Sequence, residues 1–162
     1  MRKLFILCAF LLQLLSPVYP QQATTATIEP NLKYGKPSKE ALSLTSYAPD
    51  TTATAIYLFH QGQSDFIYHD GFQLTTEHWV RIKILKPQGV SYADVSVPYY
   101  SPTDKDEGQE RASEIEGCSY NMENGKCIKT PMKRESISFE RFNNLYKILK
   151  FSLPAVKEGT II

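Results

Sequence analysis

From about residue 53 onward the apolar positions fall into short alternating runs, separated at intervals of roughly ten residues by Gly, Pro, Asn and Asp. The runs are residues 53–61, 65–69, 72–86, 90–99, 115–122, 126–130 and 145–153. Alternation of this period puts every second side chain on one face of a strand, so the pattern predicts an antiparallel, mainly-β, sandwich-like domain built from hairpins. One or two short helices accompany it. Pro37-Ser38 is placed to cap a helix ending near Leu44, and the polar stretch 133–144 has room for a second.

Two hairpins can be drawn with their registers. In the first, Val80-Arg81-Ile82-Lys83-Ile84-Leu85 returns through Lys86-Pro87-Gln88-Gly89 to the run 90–97. Facing Val80 with Val95 and Ile82 with Ala93 brings two apolar faces together. It also leaves Arg81, Lys83 and Asp94 on a solvated charged face. A three-residue loop with a bulge would instead face Ile82 with Asp94; the hydrophobic pattern favours the first register. In the second hairpin Asn124-Gly125, a strong two-residue turn, faces Glu123 with Lys126 and Met122 with Cys127.

The first 22 residues break the pattern. Arg2 and Lys3 precede an apolar stretch, Leu4 to Leu15, too short to span a bilayer, and Ser16-Pro17 ends it. Residues 1–22 are therefore expected to be a signal peptide, residues 23–37 a linker or arm, and residues 38–162 the β domain. Export implies a periplasmic or secreted protein with no membrane span. Of 18 basic and 17 acidic residues, Arg2 and Lys3 leave with the signal, so the mature chain carries 16 against 17. That balance offers no basic footprint for nucleic acid. The run 159–162 begins a further apolar strand, from which the chain is expected to be the front of a longer protein.

Candidate chemistry is sparse. Cys118 and Cys127 would be oxidised together only if they met, but the second hairpin offsets them by four residues along the strand, about 13 Å, and a bridge needs Cα atoms within about 7 Å. A disulfide is thus disfavoured. Nor does either sit at a helix N-terminus or beside a predicted base, as a thiolate nucleophile would require. His60, His69 and His78 recur every nine residues, yet strand ends would have to align for them to converge on a metal; half-exposed strand histidines are the better account. Asp104-Lys105-Asp106-Glu107-Gly108 resembles a calcium loop, but its glycine is one place early and Ile115 stands where the last carboxylate belongs. No metal or cofactor is expected. Tyr92, Tyr99 and Tyr100, gathered near Pro98 and Pro102, form the candidate ligand or partner surface, suited to a peptide or a glycan.

Asp70-Gly71-Phe72 with Glu77-His78-Trp79-Val80-Arg81-Ile82-Lys83-Ile84-Leu85, Ser119-Tyr120-Asn121 with Asn124-Gly125-Lys126, and Lys150-Phe151-Ser152-Leu153-Pro154 with residues 156–162 resemble a known family. It is the bacterial domain of unknown function that forms the N-terminal module of exported transglutaminase-like proteins. The resemblance runs from about Tyr34 to the end. It implies an accessory β module preceding a Cys, His, Asp core that acts on amide bonds, with that downstream domain as partner. No catalytic residue carries over, because none of the core's motif is in this chain. The resulting expectation is a non-catalytic, exported accessory or binding module. The alternatives are the N-terminal segment of a cysteine-dependent amide-bond enzyme and a stand-alone envelope binder of carbohydrate or peptide.

Overall fold

The computed structural model describes residues 36–68, 70–103 and 108–162. The expected signal peptide, most of the linker, His69 and the acidic loop 104–107 lie outside the described residues. A short helix, α1 (Lys39–Ser43), is followed by seven strands: β1 (Ala55–Tyr68), β2 (Phe72–Ile84), β3 (Asp94–Tyr100), β4 (Cys118–Glu123), β5 (Lys126–Pro131), β6 (Ile137–Arg141) and β7 (Tyr146–Ser152). Helix α1 begins where the capping signal places it: the Ala41 N–H donates to Ser38 Oγ at 3.1 Å. All strand pairs are antiparallel. The mainly-β, sandwich-like class with few short helices is the one found.

Two sheets form. β3-β7-β6 is one. In the other, β1 pairs β2 and β4 pairs β5, and residues 160–162 join the two hairpins. The Ile82 N–H donates to the Ile162 carbonyl (2.8 Å) and the Ile162 N–H returns to Ile82 (2.9 Å), while Tyr120 and Ile161 exchange bonds of 2.7 and 3.0 Å. The apolar run at 159–162 thus serves as a narrow central strand, paired on both edges. Ile161 is fully buried there beside Cys118 and Tyr120, with Ala41 and Leu42 of α1 packed against them. Behind it Thr160 Oγ1 donates to Asn121 Oδ1 at 2.6 Å, and the Asn121 amide reaches the Ala155 carbonyl at 2.9 Å, so these two buried side chains are partnered, whereas the buried Ser119 hydroxyl has no hydrogen-bond partner among the described residues.

The β4–β5 hairpin has the register drawn from Asn124-Gly125, with Glu123 facing Lys126 and Met122 facing Cys127. Asn124 and Gly125 take the positive φ values of 51° and 75° that such a turn demands. The other hairpin drawn from sequence does not exist. Ile82 pairs Tyr57, and Val95 pairs Phe151 of the second sheet. Residues Pro87–Ala93 form a 3₁₀ helix instead of a strand and carry the chain across from one sheet to the other. Gly89 makes this packing possible: an added Cβ would lie 2.3 Å from the Thr54 carbonyl oxygen, which already accepts from the Leu85 and Lys86 N–H groups.

Two further expectations change. The runs expected at 53–61 and 65–69 merge into the one strand Ala55–Tyr68, because Gly62, which looks like a break, lies opposite His78 with the imidazole ring beside it, and Ser64 Oγ is bonded to Thr76 Oγ1 across the pair at 2.9 Å. The polar stretch 133–144 holds a single 3₁₀ turn, Arg134–Ser136, and then β6. Charge did not keep this segment out of a sheet, since β6 is an edge strand with Ser138, Glu140 and Arg141 exposed.

Candidate functional site

The β1–β2 hairpin is much longer than its neighbours. Tyr68 faces Phe72 across the turn that holds Asp70 and Gly71, and pairing runs unbroken from there down to Phe59 and Arg81, where a bulge at Leu58 shifts the register before Ala55 meets Ile84. Asp70 (φ 53°) and Gly71 (φ 131°) make the turn. The bulge leaves Ala55, Tyr57, His60, Gly62, Ser64, Phe66 and Tyr68 on one face, with Phe72, Leu74, Thr76, His78, Val80, Ile82 and Ile84 of β2. At the base this face is core, for Ile82 and Ile84 are buried. From Val80 outward it is uncovered, and the hairpin becomes a two-stranded arm.

At the tip the arm presents Phe66 (76% exposed), Tyr68 (76%), Phe72 (82%) and Leu74 (61%) side by side. The Tyr68 and Phe72 rings meet edge to face at 5.3 Å. Nearer the base come the His60 and His78 rings, 6.4 Å apart, with His60 stacked on Tyr57 at 5.7 Å. Every charged side chain of the arm's paired residues, Asp65, Glu77 and Arg81, alternates onto the other face. The core face of the sheet is thus prolonged past the layer that covers it, as an uncharged, aromatic-tipped stripe. Exposed large hydrophobics scattered singly are ordinary; four contiguous ones are not.

The three tyrosines singled out from sequence are not one surface. Tyr92 lies in the 3₁₀ helix against Tyr57, ring centroids 6.1 Å apart. Tyr99 and Tyr100 are consecutive strand residues and so face opposite sides of β3, Tyr99 against Phe139 (6.4 Å) and Tyr100 against Tyr146 (5.8 Å). Both are half-buried. Cys118 is buried and its thiol donates to the Tyr120 hydroxyl at 3.1 Å, whereas Cys127 is exposed on β5; both are free thiols. No cluster of three metal-ligating side chains occurs among the described residues.

Lys83 departs most from expectation. Expected on a solvated charged face, it is almost completely buried, and its ammonium donates to the Leu42 carbonyl at 2.8 Å and the Gly159 carbonyl at 2.6 Å. Burial holds its pKa below the ordinary lysine value. A cavity of about 90 Å³ adjoins it, lined by Leu42, Leu44, Ile84 and Leu85 among others. With both bonds going to backbone, Lys83 ties α1 and the 159–162 segment to β2. A second, open cleft of about 820 Å³ runs between residues 112–117 and 129–139, with Ile115, Met132 and Phe139 on its walls and Lys129, Lys133 and Arg134 around it.

No helix among the described residues is long and apolar enough to cross a membrane. No protein-family model matches the chain, and no curated protein or solved structure matches it.

Proposed function

We propose that the chain is a non-catalytic interaction module of an exported protein and that the β1–β2 arm is its binding element. The observation that carries this reading is the tip itself: Phe66, Tyr68, Phe72 and Leu74 share one uncharged face with nothing of the described chain laid over them. An isolated two-stranded ribbon is marginal in water, and an apolar face of this size is ordinarily covered by something. The resemblance to the module preceding a transglutaminase-like core agrees with an accessory role, and export through residues 1–22 would place the arm in the periplasm or outside the cell. The cysteines suit structure better than chemistry, since the buried Cys118 thiol bonds a tyrosine hydroxyl, not a base.

A photo-crosslinking residue at Phe72 in the exported protein should give one discrete adduct, and the same residue at the exposed Phe142 should give none. The reading is overturned if Phe72 yields no discrete adduct, or if the purified protein hydrolyses amides in a way that Cys118→Ser or Cys127→Ser abolishes.

A further inference from the structure

We infer that the occupant of the arm's apolar face is the same face of a second copy of this chain, so that two ribbon tips stack into a four-stranded, two-layered interface about a two-fold axis. This rests on the reading of the arm as the binding element and names what it binds.

Three observations point to a second copy. The first is area. Aromatic side chains offer about 150–250 Å² each, so three of them at least three-quarters exposed, with Leu74, present about 600 Å² per copy, and two copies reach the lower bound of about 1,200 Å² for a specific interface. The second is charge. A two-fold contact sets this face of one copy on the same face of the other, so a charged side chain among the tip rows would be buried against apolar ones; those rows hold no Asp, Glu, Lys or Arg, because Asp65, Glu77 and Arg81 all alternate to the other side. The same arrangement disfavours an anionic surface, as Asp65, Asp70 and Glu77 surround the tip and Arg81 is the nearest Lys or Arg. The third is continuity. The stripe is the outward extension of the face that Ile82 and Ile84 bury at the base, so it has the alternation of a sandwich layer and lacks only its opposite layer.

An antiparallel overlap of the tips satisfies all three. It lays Phe66 and Leu74 of one copy over Tyr68 and Phe72 of the other and sets each Asp70-Gly71 turn over the partner's hydroxyl-bearing row, Ser64 with Thr76. The two bodies then lie at opposite ends of the paired arms, clear of one another.

Sedimentation of the purified mature protein tests this. A reversible monomer–dimer equilibrium is expected, with a Kd of order micromolar for so small an interface. Phe72→Asp should raise that Kd by about a hundredfold, because it buries a charge against Phe66 and Leu74 of the other copy, with the far-ultraviolet spectrum and Tm of the monomer unchanged at a residue so exposed. Glu77→Gln, on the other face, should leave the Kd within about threefold. The Phe72 photo-crosslink, made in a mixture of isotopically heavy and light protein, should give a mixed adduct of twice the chain mass. A protein that stays monomeric to about 1 mM, or a Phe72→Asp variant that dimerises as well as the wild type, overturns the inference. So does a discrete adduct to a different protein, which leaves the interaction-module reading standing. Flotation of the monomer with zwitterionic phosphatidylcholine vesicles, lost in Phe72→Asp, would also overturn it, in favour of a lipid surface.

Discussion

Lys83 shows how little a single residue's type says about where it goes. It alternates with Ile82 and Ile84, so by pattern it belongs on the solvent side of a half-buried strand, but α1 and the 159–162 segment enclose that side too and supply two carbonyls to its ammonium. Lys83→Ala should cost about 3 kcal/mol in chemical denaturation, from the void and the stripped carbonyls together. Lys83→Met, which keeps the volume, should cost less than half of that. The pH dependence has a definite sign. The folded pKa lies below the ordinary value of 10.5, so the folded state holds this proton less tightly than the unfolded one. Its burial therefore opposes folding at neutral pH, and that opposition fades as pH rises from the folded value toward 10.5. The stability of wild type relative to Lys83→Met should accordingly increase between pH 7 and about 10; a flat or falling difference would show that burial does not depress this pKa.

Among the elements, the segment after β2 departs furthest from its sequence pattern, and glycine is the reason. Pro87-Gln88-Gly89 has the composition of a hairpin turn, and Val80 to Leu85 with residues 90–97 has the alternation of its two arms. What decides against the hairpin is Thr54, thirty-five positions upstream of Gly89, whose carbonyl sits where the Cβ of any other residue would be. Gly89→Ala should destabilise by about 3 kcal/mol, since the obstacle is backbone, itself holding two N–H groups. Gly117→Ala meets the Leu153 Cδ2 atom at the same 2.3 Å, but that is the end of a flexible side chain, and the cost should be under half as large by thermal denaturation. Equal costs would mean that the 3₁₀ segment can shift away from Thr54. By contrast Ser38 and Asn124-Gly125 were legible, because a helix cap and a two-residue turn are closed by neighbours within a few positions.

At the scale of the whole molecule, four residues hold two hairpins in one sheet. Ile161 bonds Tyr120 on one side while Ile162 bonds Ile82 on the other, so the segment 159–162 couples β1–β2 to β4–β5. Ile161→Ala should cost about 3–4 kcal/mol, and hydrogen exchange should show Tyr120 and Ile82 losing protection together. Loss confined to one hairpin would mean that the two are held by other contacts.

Short-range physics was enough to predict an antiparallel, mainly-β chain with the 38–43 helix and the 118–131 hairpin in register, since strand alternation, caps and tight turns are set by residues within a few places of one another. Partnership between distant strands, the burial of Lys83, and the separation of Tyr92, Tyr99 and Tyr100 onto different surfaces depended on tertiary packing. The exposed β1–β2 arm belongs to this second group. Phe66, Tyr68, Phe72 and Leu74 alternate as core residues do, and whether such a face is core or open surface depends on whether a second layer reaches it; here that layer stops at Val80.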